Sequence, residues 1–353
     1  GSNPTVPVLE LSQPAPVAAD QFGYSVAISG NRVAVSANLD DTGATNTGRV
    51  FIYNLAGANP QTPSLIIPNP TPVSSDLFGQ SIALDGGWLV VGVPQKDLGG
   101  TSNVGSVELF NLDSATPATP VASLLNTHPA ANDTFGNAVS VSGTRFVAGT
   151  SLDDATGVNS GRAYVYDFGS GAPSGPAYVL DNPGPAVADQ FGHSVAIHGS
   201  RVVVGTPYDD TAANNSGRAY VFDLAGADPQ TAVAALAKTT PVSADNLSLS
   251  VAIHGSLVAA GVPFDDQQIL NVGSVAIFDL NGPTPGSPVR FLRHGSPSSG
   301  DLFGGAVAIS GTRMVVGASL DDTGALNAGS AHVFDLASPA PGFPVLSLAN
   351  PEP

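Results

Sequence analysis

The sequence predicts an all-β chain built as a six-bladed β-propeller of four-stranded antiparallel blades. Three observations carry that expectation. First, the pair Phe22-Gly23 recurs as Phe78-Gly79, Phe135-Gly136, Phe191-Gly192 and Phe303-Gly304, with Leu247-Ser248 in the remaining slot, at steps of 56, 57, 56, 56 and 56 residues. Internal periodicity of this length marks a repeat architecture. Second, each unit holds four short runs of strand-forming residues, the signature of a propeller blade. Third, the chain is rich in turn formers, with 41 Gly and 30 Pro in 353 residues, and only 11% of its residues are charged. Such a composition suits many short strands joined by tight turns better than helices.

The first run of each unit, such as Ser25–Ile28 or Ser194–Ile197, is made of Ser, Ala, Val and Ile, side chains small enough for an innermost strand. A Gly-centred turn follows, for example Ser29-Gly30-Asn31 and His198-Gly199-Ser200. Gly at a fixed offset between apolar runs signals a hairpin, because only Gly takes positive φ without steric cost. The second run starts at Arg32 and its copies. A longer loop leads to a Gly-led third run such as Gly48–Tyr53 or Gly217–Phe222, whose β-branched and aromatic residues suit burial on both faces. The fourth, around Ser64–Ile67, Ala177–Leu180 and Val289–Leu292, ends in Pro-rich turns and reads as an edge strand. A helical period of 3.6 is absent. We read a single domain over residues 1–353, with blades beginning near Asp20, Asp76, Asp133, Asp189, Asp245 and Asp301. The fourth-strand pattern occurs once more at residues 6–12 and again at 343–348, so one copy is surplus. The expectation is that residues 6–12 take part in ring closure, pairing with the third strand of the last blade and displacing the C-terminal copy.

These residues resemble FG-GAP repeats, the units of the integrin α-subunit propeller and of bacterial secreted and surface proteins. The Gly-Ala-Pro half of the motif is echoed by Gly92-Val93-Pro94, Gly205-Thr206-Pro207 and Gly261-Val262-Pro263. The resemblance implies an extracellular or cell-surface propeller that binds rather than catalyses. It does not bring the integrin-type calcium loop with it. That loop belongs between the first and second strands, where this chain has only a short Ser-Gly-Asn type turn without a cage of oxygen ligands.

The net charge is −17, from 28 acidic and 11 basic residues. Such a field repels phosphate backbones, which argues against nucleic acid as a partner. No apolar run of about 18 residues is present to enter a bilayer. There is no Cys, so disulfides say nothing of redox compartment.

The acids are clustered. Asp20, Asp76, Asp133, Asp189, Asp245 and Asp301 each precede a Phe-Gly slot. A second set lies between strands two and three: Asp40-Asp41, Asp97, Asp153-Asp154, Asp209-Asp210, Asp265-Asp266 and Asp321-Asp322. Hairpin alternation brings both loop types to one end of the blade, which predicts an acidic face. Two readings stand. In the structural one, these carboxylates cap turns by accepting backbone N–H groups, with Asn46, Asn103, Asn159, Asn215, Asn271 and Asn327 as companions. In the functional one, the Asp pairs hold a hard cation, Ca²⁺, and the Asp20 series contacts a ligand. Arg49, Arg162 and Arg218 are alternative counter-ions to the pairs. His193 follows Phe191-Gly192 where other units have Tyr24, Gln80, Asn137, Leu249 and Gly305, a variability suited to a ligand contact. None of the six His forms a short metal-binding spacing. The expected function is a monomeric, non-catalytic module for adhesion or scaffolding that binds a protein or glycan. The alternative is a polysaccharide lyase or glycoside hydrolase with its site on the same face, which requires two carboxylates at a defined separation.

Overall fold

The computed structural model describes residues 7–266, 269–338 and 341–351. All elements are strands, grouped in six four-stranded antiparallel sheets whose neighbours follow chain order. This is the all-β, six-blade expectation. The chain divides into two compact units, Leu9–Asn182 and Pro183–Pro353, the second including Gly1–Val8.

The Leu9–Asn182 unit carries blades 1 to 3. Blade 1 is β1 to β4 (Phe22–Ser29, Arg32–Ala37, Arg49–Asn54, Leu65–Pro68), and blade 2 is β5 to β8 (Ser81–Asp85, Trp88–Val93, Ser106–Asn111, Ala122–Leu124). Blade 3 is β9 to β12 (Val139–Ser142, Arg145–Thr150, Arg162–Asp167, Tyr178–Asp181). The other unit carries blade 4, β13 to β16 (Ser194–His198, Arg201–Thr206, Arg218–Asp223, Ala234–Leu236), and blade 5, β17 to β20 (Val251–His254, Leu257–Val262, Ser274–Asp279, Arg290–Leu292). Its blade 6 is β21 to β24 (Phe303–Ser310, Arg313–Ala318, Ser330–Asp335, Leu346–Ala349).

In blades 1 to 5 the two middle strands are largely buried, as their near-continuous apolar runs require, whereas in blade 6 β22 and β23 are partly exposed, with Val315 44% accessible. Phe78, Phe135, Phe191 and Phe303 are fully buried, and Phe135 sits edge-on to Tyr164 at 5.6 Å. Leu247 takes the same place in blade 5 and is also fully buried. Phe22 departs from the series. It is half-buried, covered by Phe51 and Tyr53. The strand it opens is likewise exposed: Val26 and Ile28 are 65% and 64% accessible, whereas their counterparts in blade 2, Ile82 and Leu84, are 7% and 8%.

The expected displacement of the C-terminal copy needs correction. Blade 6 is completed by its own C-terminal strand, with Val333 opposite Leu346 and Ser330 opposite Ala349. The short local connection from β23 to β24 makes this the pairing of lower loop-closure cost. Residue 6 lies outside the described residues, and 7–12 form no strand. The segment is docked all the same: Leu11 packs on the blade 1 core, and Ser12 O accepts a hydrogen bond from the Tyr53 hydroxyl at 2.9 Å. The equivalent contact in blade 3 runs from Tyr166 to Leu125 O, just past β8. Residues 9–12 therefore meet blade 1 as the end of a fourth strand meets the next blade.

Candidate functional site

The long loop between strands two and three is fixed by its own backbone. The Asn series adopts left-handed geometry, with φ between 50° and 54° for Asn46, Asn103, Asn159, Asn215, Asn271 and Asn327. The glycine two residues later is obligatory for a second reason. At Gly105, with φ of 83°, a Cβ would lie 2.3 Å from the Phe135 carbonyl oxygen. The loop is thereby clamped on the next Phe-Gly slot, as the backbone bond from Phe135 N to Val104 O shows. Asn tolerates the left-handed region and Ala does not, at about 1–2 kcal/mol per residue. Asn159→Ala should accordingly lose about 1 kcal/mol in denaturant titration, while Asn159→Gly should be close to neutral.

The structure separates the paired aspartates into two kinds. The first of each pair, Asp40, Asp153, Asp209, Asp265 and Asp321, is buried. The second, Asp41, Asp154, Asp210, Asp266 and Asp322, is exposed, as is Asp97. Each exposed carboxylate accepts the N–H of the left-handed Asn, for example Asn159 N to Asp154 Oδ1 at 2.7 Å and Asn215 N to Asp210 Oδ1 at 2.6 Å. The buried carboxylates of Asp40, Asp153, Asp209 and Asp321 accept the N–H two residues on, as with Thr211 N to Asp209 Oδ1 at 2.8 Å.

The aspartates before the Phe-Gly slots are buried too, and each accepts the N–H three residues earlier. The distances are 3.0 Å for Asp20, 2.9 Å for Asp76, 2.8 Å for Asp133 and Asp189, 3.0 Å for Asp245 and 2.6 Å for Asp301. These hydrogen bonds are those the turn-capping reading requires. Burial raises the carboxyls of Asp133, Asp245 and Asp301, against the pull of those backbone donors.

A third side chain, seven residues before that aspartate, ties the two loops together. Gln13 Nε2 donates to both Asp20 (2.6 Å) and Asp40 (2.9 Å). Lys238 Nζ does the same for Asp245 (2.9 Å) and Asp265 (3.1 Å). His294 lies between Asp301 (3.4 Å) and Asp321 (3.0 Å). Asn69 and Asn126 reach only Asp76 and Asp133.

The buried loop carboxylate also has a cation in most blades. Arg49 pairs with Asp40 at 2.5 Å, Arg218 with Asp209 at 3.6 Å and Lys238 with Asp265. Burial acts against the charge of Asp40, yet the Arg49 guanidinium and Thr42 hold its carboxyl below the usual range. Arg162 bonds Asp181 directly at 2.6 Å and acts on Asp153 only through its field. The third residue after the loop glycine also faces this carboxylate: Tyr164 and Tyr220 donate to Asp153 (3.1 Å) and Asp209 (3.0 Å). Blade 2 rearranges the set. Lys96 stands where the buried aspartate would be and bonds Thr71, while the acid appears at Glu108, buried against Ser106 and Ser123.

His193 is half-buried beside Gln190 and Tyr208, and burial lowers its pKa. Two residues of the same register, Leu249 and Gly305, line a cavity of about 420 Å³ with Pro263, Phe264, Leu302 and Ser319. Three features escaped sequence reasoning: the bridging residue at Gln13, Lys238 and His294, the buried Glu108, and the meeting of His294 with His332. The signal available was the register itself, since each position is recovered by counting from the Phe-Gly slot.

The profile of the FG-GAP repeat matches residues 14–53, 72–110, 119–166, 183–222 and 296–334, more than half of the chain. The chain belongs to the FG-GAP repeat family. The matched ranges omit residues 223–295, which include the one FG-GAP slot written Leu247-Ser248. The blade survives the change because Ser248 keeps the positive φ of the glycine, at 75°, and its hydroxyl accepts the Thr206 N–H at 2.9 Å. No curated protein matches the chain. No helix of the described residues is long and apolar enough to cross a membrane.

Proposed function

We propose that this FG-GAP chain is a non-catalytic, extracellular or cell-surface module for binding or scaffolding, monomeric, that contacts a protein or glycan through its exposed loop aspartates. The observation that carries the reading is the repeated division of labour in the loops. Buried carboxylates are consumed by internal donors, while Asp41, Asp97, Asp154, Asp210, Asp266 and Asp322 are held outward on a clamped backbone. Rigid presentation lowers the ordering cost of binding. Carboxylates suit basic protein surfaces by charge and sugar hydroxyls as acceptors. The net charge of −17 favours the same partners and disfavours polyanions. The exposed aspartates could also take a hard cation such as Ca²⁺ together with loop carbonyls.

The test is to probe an array of glycans and basic proteins with the chain and with a variant carrying Asn at those six positions. Asn keeps the oxygen that caps the loop, so the melting temperature should stay within a few degrees. A ligand retained by the parent and lost by the variant supports the reading. Equal retention, or no ligand for the parent, overturns it. Repeating the array with calcium and with chelator separates direct from metal-mediated contact.

A further inference from the structure

Blade 6 balances its buried loop carboxylate differently from every other blade that has one. Asp40, Asp153, Asp209 and Asp265 each have a permanent cation bonded to them or acting on them: Arg49, Arg162, Arg218 and Lys238. Asp321 has none. Its slot for Lys238 holds His294, its slot for Arg49 holds Ser330, and its slot for Tyr220 holds His332. Two imidazoles, found together at these two positions only in this blade, converge on one carboxylate.

The geometry is compact. His294 Nε2 lies 3.0 Å and His332 Nε2 3.8 Å from Asp321 Oδ2, and the two rings are perpendicular with centroids 4.3 Å apart. One ligand atom from each of the three residues fits within 4.8 Å of the others, and all three side chains are buried. Zinc–nitrogen and zinc–oxygen bonds of about 2.0–2.2 Å place tetrahedral ligands roughly 3.3 Å apart, so the spacing is of the right size. Ser330 bonds both Asp321 and His332 and offers a hydroxyl beside the remaining position.

The surroundings point the same way. In the neutral ring whose Nε2 proton goes to Asp321, Nδ1 is bare and faces Asp301 Oδ2, 3.4 Å away. Neither His294 Nδ1 nor Asp301 Oδ1 finds a hydrogen-bond partner, although both are buried. A metal on Nε2 reverses the tautomer: the proton moves to Nδ1 and is donated to Asp301. That is the carboxylate–histidine–metal arrangement of established sites. His332 is held by the Ser347 hydroxyl at Nδ1, 2.9 Å, and its Nε2, now against the Ser330 hydroxyl at 2.7 Å, is the nitrogen an ion would take over.

We propose that blade 6 binds a divalent transition metal of the zinc type through His294, His332 and Asp321, with Asp301 orienting His294. The ion supplies the positive charge that Arg or Lys supplies in the other blades. Nitrogen ligands select zinc or cobalt over calcium.

The competing account is that His294 acts as a protonated bridge, doing what Lys238 does in blade 5. His294→Lys copies that blade and separates the two. The experiment strips the protein with chelator, then titrates Zn²⁺ by calorimetry and Co²⁺ by visible absorption, with Ca²⁺ as a control. We expect one equivalent of Zn²⁺, a raised melting temperature and the intense ligand-field bands of a low-symmetry Co²⁺ site. His294→Lys and His332→Gln should abolish all three while each stays folded by circular dichroism. Asp301→Asn should weaken binding about 10–100-fold. A stripped parent with no Zn²⁺ response and no Co²⁺ bands, or His294→Lys binding as tightly as the parent, overturns the proposal.

Discussion

Replacing Phe135 by alanine is expected to cost about 3–5 kcal/mol, the range for a large aromatic removed from a packed core. Phe135 is wholly buried against Tyr164 and Tyr166. Its backbone also closes on Gly105, so the cavity left behind cannot collapse without moving the loop. Phe22→Ala should cost clearly less, because Phe22 is half-buried and, among the described residues, has only Phe51 and Tyr53 as aromatic neighbours. Urea denaturation of the two variants checks the order. Equal losses would mean that the register position alone, and not its burial, sets the energy.

Lys238→Ala should be as damaging, at about 3–5 kcal/mol near neutral pH, since it strips a shared cation from two buried carboxylates. Its pH dependence carries a definite sign. Burial already raises Asp245 above its ordinary value against the pull of Lys238. Without the lysine the carboxyl rises further, and a raised carboxyl stabilises the fold only while protonated. The deficit should therefore be largest near neutrality and shrink as the pH falls toward the folded-state value. A deficit that grows on acidification would mean that the pair is held by other groups.

The repeat was legible because every blade writes the same register in sequence. Phe-Gly, the hairpin Gly and the left-handed Asn sit at fixed offsets, and each answers a backbone need that few residues meet. The clustering of loop aspartates was legible for the same reason. What sequence did not reveal was which member of a pair turns inward, because Asp153 and Asp154 are chemically identical and differ only in the direction their strand end imposes. Nor did it show the bridge. Gln13, Asn69, Asn126, Lys238 and His294 share no chemistry beyond a polar nitrogen, and they reach carboxylates up to 27 residues away. The half-buried Phe22 and the docked but unpaired residues 9–12 depend on what covers blade 1, which a repeat pattern does not encode.

The division of each loop into one carboxylate that holds the blade and one that faces solvent is tested most directly in blade 4. Asp209→Ala removes the acceptor of the buried Tyr220 hydroxyl, the Thr211 N–H and the partner of Arg218. Asp210→Ala removes one exposed acceptor for Asn215 N. Equilibrium unfolding should show a loss of about 2–4 kcal/mol for the first, in keeping with a buried charge-assisted network, and about 1 kcal/mol or less for the second. Equal losses, or a larger one for Asp210→Ala, would contradict the account.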